Sequence, residues 1–169
     1  MVRLEQTLAS WKTIREDTAQ AVEDFSAQDL DFKPADGMMS FGELARHILE
    51  AGHLMTGMLL DEVESMAGPD FREMVKKYVS QVPPTQGTGA LARELRSSVE
   101  KRCAELSEKN ADFFEAELIR PDGQRVTRLE MLQMVKEHEL THRAQLFVYL
   151  RLKGMVPPTT RRRLAKAKA

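Results

Sequence analysis

The chain has 169 residues, 42% of them hydrophobic and 30% charged, with a formal net charge of −1, the composition of one globular domain with a sizeable core. No apolar run reaches the roughly 18 residues that a membrane-spanning helix needs, and charges interrupt the N-terminal MVRLEQTLASWK where a signal peptide would carry its apolar segment. Cys103 is the only cysteine, which excludes an internal disulfide or a cysteine-rich zinc finger and suits a reducing, cytoplasmic setting.

Helical periodicity dominates the chain. Leu4, Leu8, Trp11, Thr18, Val22 and Phe25 recur at helical spacing, which predicts a first long helix over about residues 2–26. Pro34 and Gly37 break the chain in the link that follows. Ser40 and Glu43 form a capping box, so a second helix should run from Phe41 to about Met66, with Gly68-Pro69 ending it. Residues 70–80 suit a short helix and VPPTQGTG a loop. A third long helix spans about residues 89–109, with Leu91, Leu95, Val99, Cys103 and Leu106 as its apolar stripe. Asp122-Gly123, within FFEAELIRPDGQRVT, marks a small hairpin or extended loop. Thr127 and Glu130 form a second capping box, and a fourth helix runs to about Lys153, where Gly154 stops it ahead of Pro157-Pro158.

Four long helices with a longer crossover between the second and third predict an all-α four-helix bundle. The domain is expected over residues 1–158, followed by a basic, frayed tail over 159–169. No Asp or Glu follows residue 142, whereas Arg143, Arg151, Lys153, Arg161, Arg162, Arg163, Lys166 and Lys168 do. A basic tail can touch nucleic acid, but no aromatic or groove-reading motif accompanies it, so a nucleic-acid partner is not expected.

The four histidines separate by helical phase. On the second helix His47 falls at the edge of the apolar face made by Leu44, Ile48, Ala51 and Met55. His53 falls on the opposite side, where solvent is expected. On the fourth helix His138 and His142, four residues apart, lie in the stripe of Met131, Val135, Leu146 and Tyr149. A lone histidine on an apolar face is usually a core residue with one hydrogen bond, but two buried imidazoles and a third opposite need several partners, which one metal ion supplies. A three-histidine site leaves coordination positions open and suits zinc, nickel or iron.

Two other metal readings fail on the residues. HELTH matches H-E-x-x-H, the helix signature of zinc proteases, but their third ligand lies downstream, and no His, Asp or Glu follows His142. A di-iron bundle needs two E-x-x-H motifs facing inward; Glu50 and His53 lie well off the apolar face. Glu139 lies about 60° from His142 at helical pitch and is expected to border the site. Gln145 lies at a similar angle and can hydrogen-bond near it, while Arg143 points away as a surface or interface charge. Cys103 reads as core. Leu132, Leu140, Phe147 and Leu150 form a second apolar set on the fourth helix, which predicts a helix-mediated homodimer.

The stretches SFGELARHILEAGHLM and HELTHRAQLFVYLRLKGMVPP resemble the DinB/YfiT-like metal-binding four-helix bundles. The second matches that family's H-x-x-x-H-R-x-Q run followed by a leucine-rich stretch, Gly and Pro. The resemblance covers roughly residues 1–158 and departs from it at Ala144, where Gly is common. It implies His47, His138 and His142 as ligands of one divalent metal, nickel or zinc, with iron also suited. It further implies a metal-dependent enzyme acting on a small molecule, first of all a thiol-dependent S-transferase or isomerase that takes a low-molecular-weight thiol as cosubstrate. The alternatives are a metal-dependent hydrolase, with Glu139 or a water as proton acceptor, and a non-catalytic, metal-stabilised bundle or stress-related binding module.

Overall fold

Both capping boxes form in the computed structural model, which describes residues 3–167. Ser40 Oγ accepts from the Glu43 N–H at 3.2 Å while Glu43 Oε2 accepts from the Ser40 N–H at 2.6 Å. Thr127 and Glu130 repeat the exchange at 3.2 and 2.7 Å. These pairs satisfy amides that a helix start leaves open, and they fix where the two histidine-bearing helices begin.

The elements in chain order are α1 (Leu4–Asp24), a 3-10 turn (Ala27–Asp29), α2 (Phe41–Leu60), α3 (Phe71–Val79), α4 (Gly87–Ser107), α5 (Ala111–Glu115), β1 (Glu117–Ile119), β2 (Arg125–Thr127), α6 (Arg128–Leu152) and α7 (Pro158–Lys166). The long helices α1, α2, α4 and α6 form the bundle. Both α1 and α2 pack against α4 and α6, so α1 and α2 sit on one diagonal and α4 and α6 on the other. The antiparallel β1–β2 hairpin pairs Leu118 with Val126 and turns at Gly123, φ 83. It also holds the crossover after α2, through the Met66 N–H to Ile119 O at 2.7 Å and the Ile119 N–H to Glu64 O at 2.9 Å.

Two boundaries differ from expectation. The second helix stops at Leu60 rather than near Met66. Glu62 adopts φ 55, and the N–H groups of Glu62 and Val63 bond Leu59 O and Met58 O, each at 3.0 Å. That is a Schellman close with a glutamate in the left-handed position usually given to glycine, so no breaker residue announces it. By contrast, α6 closes the same way on Gly154, φ 73, as expected, with the Met155 N–H bonded to Leu150 O at 2.9 Å. At the C-terminal end, residues 168–169 of the segment expected to be a frayed tail lie outside the described residues, and residues 159–166 of it belong to α7. Pro158 stands in its first turn, where its fixed φ and missing N–H favour a helix start. Arg161 then pairs with Asp24 at 2.5 Å and Arg162 with Asp17 at 2.6 Å, so acids on α1 hold α7 in place.

The apolar core falls into two clusters. One is built around the stacked rings of Phe25 and Phe41 with Leu49, Leu95, Leu146 and Tyr149. The other is built around Trp11, Met58, Leu106, Phe113 and Met131. Between them lies a buried polar layer. Arg15, 1% exposed, and Glu139, 2% exposed, pair at 2.7 Å. Arg15 also donates to Ser98 Oγ at 3.0 Å and Leu95 O at 3.3 Å. Of the second apolar set on the fourth helix, Leu132 and Leu150 belong to these core clusters, because α6 has α1 on one side and α2 on the other.

Gly52 is explained by this layer. A Cβ there would lie 2.7 Å from Arg15 Nη2, on a guanidinium already pinned by Glu139, Ser98 and Leu95. Intrinsic helix propensity says that Gly52→Ala should stabilise by about 1 kcal/mol. Overpacking of a fixed group costs about 1–3 kcal/mol, so the expected result is a net loss of stability, read as a lower denaturant midpoint at unchanged slope.

Candidate metal centre

His47 sits in the second turn of α2, and His138 and His142 are one turn apart on α6. The helices bring the three imidazoles together edge to face, with ring centroids 4.4–5.1 Å apart. Nε2 of His138 lies 3.2 Å from Nε2 of His47 and 3.1 Å from Nε2 of His142. Ligands about 2.0–2.1 Å from a tetrahedral ion stand about 3.3 Å from one another, so these two separations already match coordinating distance, and the three donor atoms all lie within 4.8 Å of one another. Among the described residues these three form the one cluster of His, Cys, Asp or Glu side chains able to share an ion.

The protonation states agree with that use. Burial pushes the His138 ring down to about 4, and the neighbouring His142 and His47 add to the shift. Burial followed by the His142 charge also holds His47 below its ordinary value. Both rings are therefore neutral at neutral pH, the form that ligates. His142 Nδ1 lies 2.7 Å from Gln145 Oε1. Since the amide oxygen only accepts, Nδ1 carries a proton in this contact, and Nε2 is the nitrogen that faces the other rings. Ring nitrogens converging at such distances can share a proton or a cation, and the donor set fits a divalent metal.

Glu139, expected as a proton acceptor beside the histidines, faces away from them. Oε1 accepts from Arg15 Nε at 2.7 Å and Thr18 Oγ1 at 3.1 Å, and Oε2 from Trp11 Nε1 at 2.6 Å. It is a bundle-locking group, because the 60° that separates it from His142 turns it toward α1 while the histidines turn toward α2. His53, expected in solvent, is half-buried against α4, with Nε2 3.0 Å from Arg102 Nη2 and 3.3 Å from Gln81 Oε1. Burial, then Arg102, hold it below its usual range. Arg143 is not a free surface charge either: it pairs with buried Asp17 at 3.1 Å and lies over the Phe147 ring. Burial drives the Cys103 thiol up to about 11, which makes it a core residue and a poor nucleophile.

One side of the cluster opens to solvent. His47 lines a cleft of about 470 Å³ together with Met38, Met39, Glu43, Arg46 and Glu50. Its charges are tied off: Glu43 to Lys33 at 3.3 Å, and Arg46 to Glu50 at 2.6 Å. Met38 and Met39 remain 38% and 43% exposed, and the link that carries them is anchored by Tyr149, whose hydroxyl donates to Met39 O at 2.9 Å. This apolar rim escapes the sequence reading, in which SAQDLDFKPADGMM, residues 26–39, is only a link; two adjacent methionines after the Pro34 and Gly37 breakers are the available signal.

Known proteins share this fold. A model described as the DinB family matches residues 1–168. YjoA of Bacillus subtilis (strain 168) is 29% identical over 154 residues, covering 91% of this chain and 93% of its own. The crystal structure of that DinB-like protein aligns with a TM-score of 0.69 at 27% identity, over 89% of this chain and 93% of that one. YfiT from Bacillus subtilis, described as a probable metal-dependent hydrolase with an unusual four-helix bundle topology, aligns at 0.69 with 17% identity, covering 92% and 91%. A mycothiol-dependent maleylpyruvate isomerase aligns at 0.62 with 18% identity, over 86% of this chain and 61% of that one. At these identities the last two share the fold.

Proposed function

The chain belongs to the DinB family, and on that footing we propose that His47, His138 and His142 hold one divalent metal ion used in a thiol-dependent S-transfer or isomerisation of a small molecule. The observation that carries this reading is the tripod of converging imidazoles beside an open cleft with an apolar rim. When bound, the ion supplies a Lewis-acid centre with coordination positions left free for a small molecule. Three imidazoles with a soft thiol suit zinc or nickel, and iron is accommodated by the same donors.

The chain's own residues do the rest. The histidines present three lone pairs, and Gln145 fixes the ring of His142. Met38 and Met39 offer a pliable apolar surface against which the carbon skeleton of a substrate can exclude water. Hydrolysis is the second reading, supported by what is said of YfiT. It needs a group that takes a proton from water, and the nearby carboxylates are engaged: Glu139 with Arg15, Glu50 with Arg46 and Glu43 with Lys33. A thiol is far more acidic than water and makes a smaller demand for such a base, which favours thiol chemistry, as does the fold shared with the mycothiol-dependent isomerase. A reducing cytoplasm, where small thiols persist, is the matching compartment; no helix among the described residues is long and apolar enough to cross a membrane.

The test is a screen of low-molecular-weight thiols against small electrophiles with metal-loaded protein. Turnover that requires both thiol and metal is expected. Turnover that persists after metal removal contradicts the proposal, and metal-dependent turnover without thiol moves the protein to the hydrolase reading. A separate expectation concerns Gln145. Removing the hydrogen-bond partner of a ligating imidazole typically weakens metal affinity by about 10–100-fold. Gln145→Leu should show that loss in a metal titration, and Gln145→Glu, which keeps an acceptor on Nδ1, should not.

A further inference from the structure

Four residues on the outer face of α6 recur every fourth position: Leu140, Ala144, Val148 and Leu152. All are exposed, with Leu140 at 40%, Val148 at 54% and Leu152 at 58%. They form one ridge along the helix, the kind of row that interdigitates with another helix, and they point away from α1 and α2. The ridge is not the four-residue set that sequence phase singled out. Only Leu140 is common to both, because packing draws Leu132 and Leu150 into the core and leaves Val148 and Leu152 outside.

We propose that this ridge docks a second copy of the chain, as an antiparallel α6–α6 pair centred on Ala144. The charges flanking the ridge select the occupant. Glu137 lies two turns before Ala144 and Arg151 two turns after it, both exposed. Each keeps hydrogen-bonding capacity, since Glu137 gives Oε1 to Gln133 and Arg151 gives Nη2 to Thr160. A two-fold axis through Ala144 places Glu137 near the partner's Arg151, and Arg151 near the partner's Glu137. It also places Leu140 beside the partner's Val148. A parallel pair would instead set Glu137 against the partner's Glu137 and Arg151 against the partner's Arg151, a repulsive arrangement. The smallest side chain, Ala144, stands where the helices cross and lets them approach closely. The surface is thus complementary to itself, as an isologous dimer requires.

The interface is independent of the metal reading, because the ridge lies on the outer face of α6 and the imidazoles point toward α2. Sedimentation equilibrium of the full chain at micromolar concentration is expected to give twice the 19.2 kDa chain mass. Val148→Arg, at an exposed position, should halve that mass while helicity by circular dichroism and bound metal stay unchanged. Glu137→Arg should weaken association, and adding Arg151→Glu should restore it by exchanging the two charges across the axis. Register is read by cysteine crosslinking. Under mild oxidation Ala144→Cys should link to its own copy and Leu152→Cys should not, since only residue 144 meets itself. A monomeric wild type, a dimer indifferent to Val148→Arg, or self-linking of Leu152→Cys would each overturn the proposal.

Discussion

Glu139→Ala should lower folding stability by about 3–5 kcal/mol, the range for breaking a buried ion pair by deleting one partner. The loss is large because Arg15 remains. Its side chain is 1% exposed, and without the carboxylate a full positive charge stays between two apolar clusters with only Ser98 and a carbonyl to meet it. Trp11 Nε1 and Thr18 Oγ1 lose their acceptor as well. Against a typical total of about 5–15 kcal/mol for a domain, such a loss is readily seen as a fall in denaturant midpoint at unchanged slope. Glu139→Gln keeps the shape and one acceptor and should fall between the wild type and the alanine variant. Replacing both partners, Arg15→Met with Glu139→Leu, should recover most of the loss, since a well-packed apolar pair often equals a buried ion pair. If Glu139→Ala lowers stability by less than 1 kcal/mol, the polar layer is not what locks α6 to α1.

His138→Ala should show the opposite profile. His138 Nε2 is the middle donor, 3.2 Å from His47 Nε2 and 3.1 Å from His142 Nε2. Its removal leaves two imidazoles whose nitrogens no longer share a common neighbour. Losing an outer hydrogen bond already weakens a metal site by about 10–100-fold; losing this ligand should exceed that and abolish stoichiometric binding in a titration. The ring is only half-buried and pairs with no charge, so metal-free stability should change far less than in Glu139→Ala. The two adjacent positions thus separate cleanly, His138 governing metal and Glu139 governing the fold. Equal metal content in wild type and His138→Ala would contradict the assignment of His138.

Much of this was legible in the sequence. Capping boxes at Ser40 and Thr127 mark helix starts because their chemistry is local, and the phase of His47, His138 and His142 against neighbouring apolar residues brings the trio together. What phase alone misjudged has a common cause. Glu139 and Arg143 lie on the flank of α6 that meets α1, and a helical wheel cannot say that Arg15 and Asp17 wait there. Phase places His53 in solvent because it carries no information on α4 and Arg102. The early end of α2 rests on a left-handed glutamate rather than a glycine. The C-terminal helix α7 depends on Asp17 and Asp24, more than a hundred residues away in the chain, as carboxylate partners for its arginines.

The most direct test is the metal stoichiometry of the wild-type protein. The chain, purified without chelator and without a metal-affinity step, is assayed for zinc, nickel and iron by elemental analysis, then stripped and titrated with each ion. The tripod predicts one ion per chain, reloading to the same ratio, with the capacity lost in His138→Ala. A protein that carries no stoichiometric metal and takes up none on titration would contradict the metal centre.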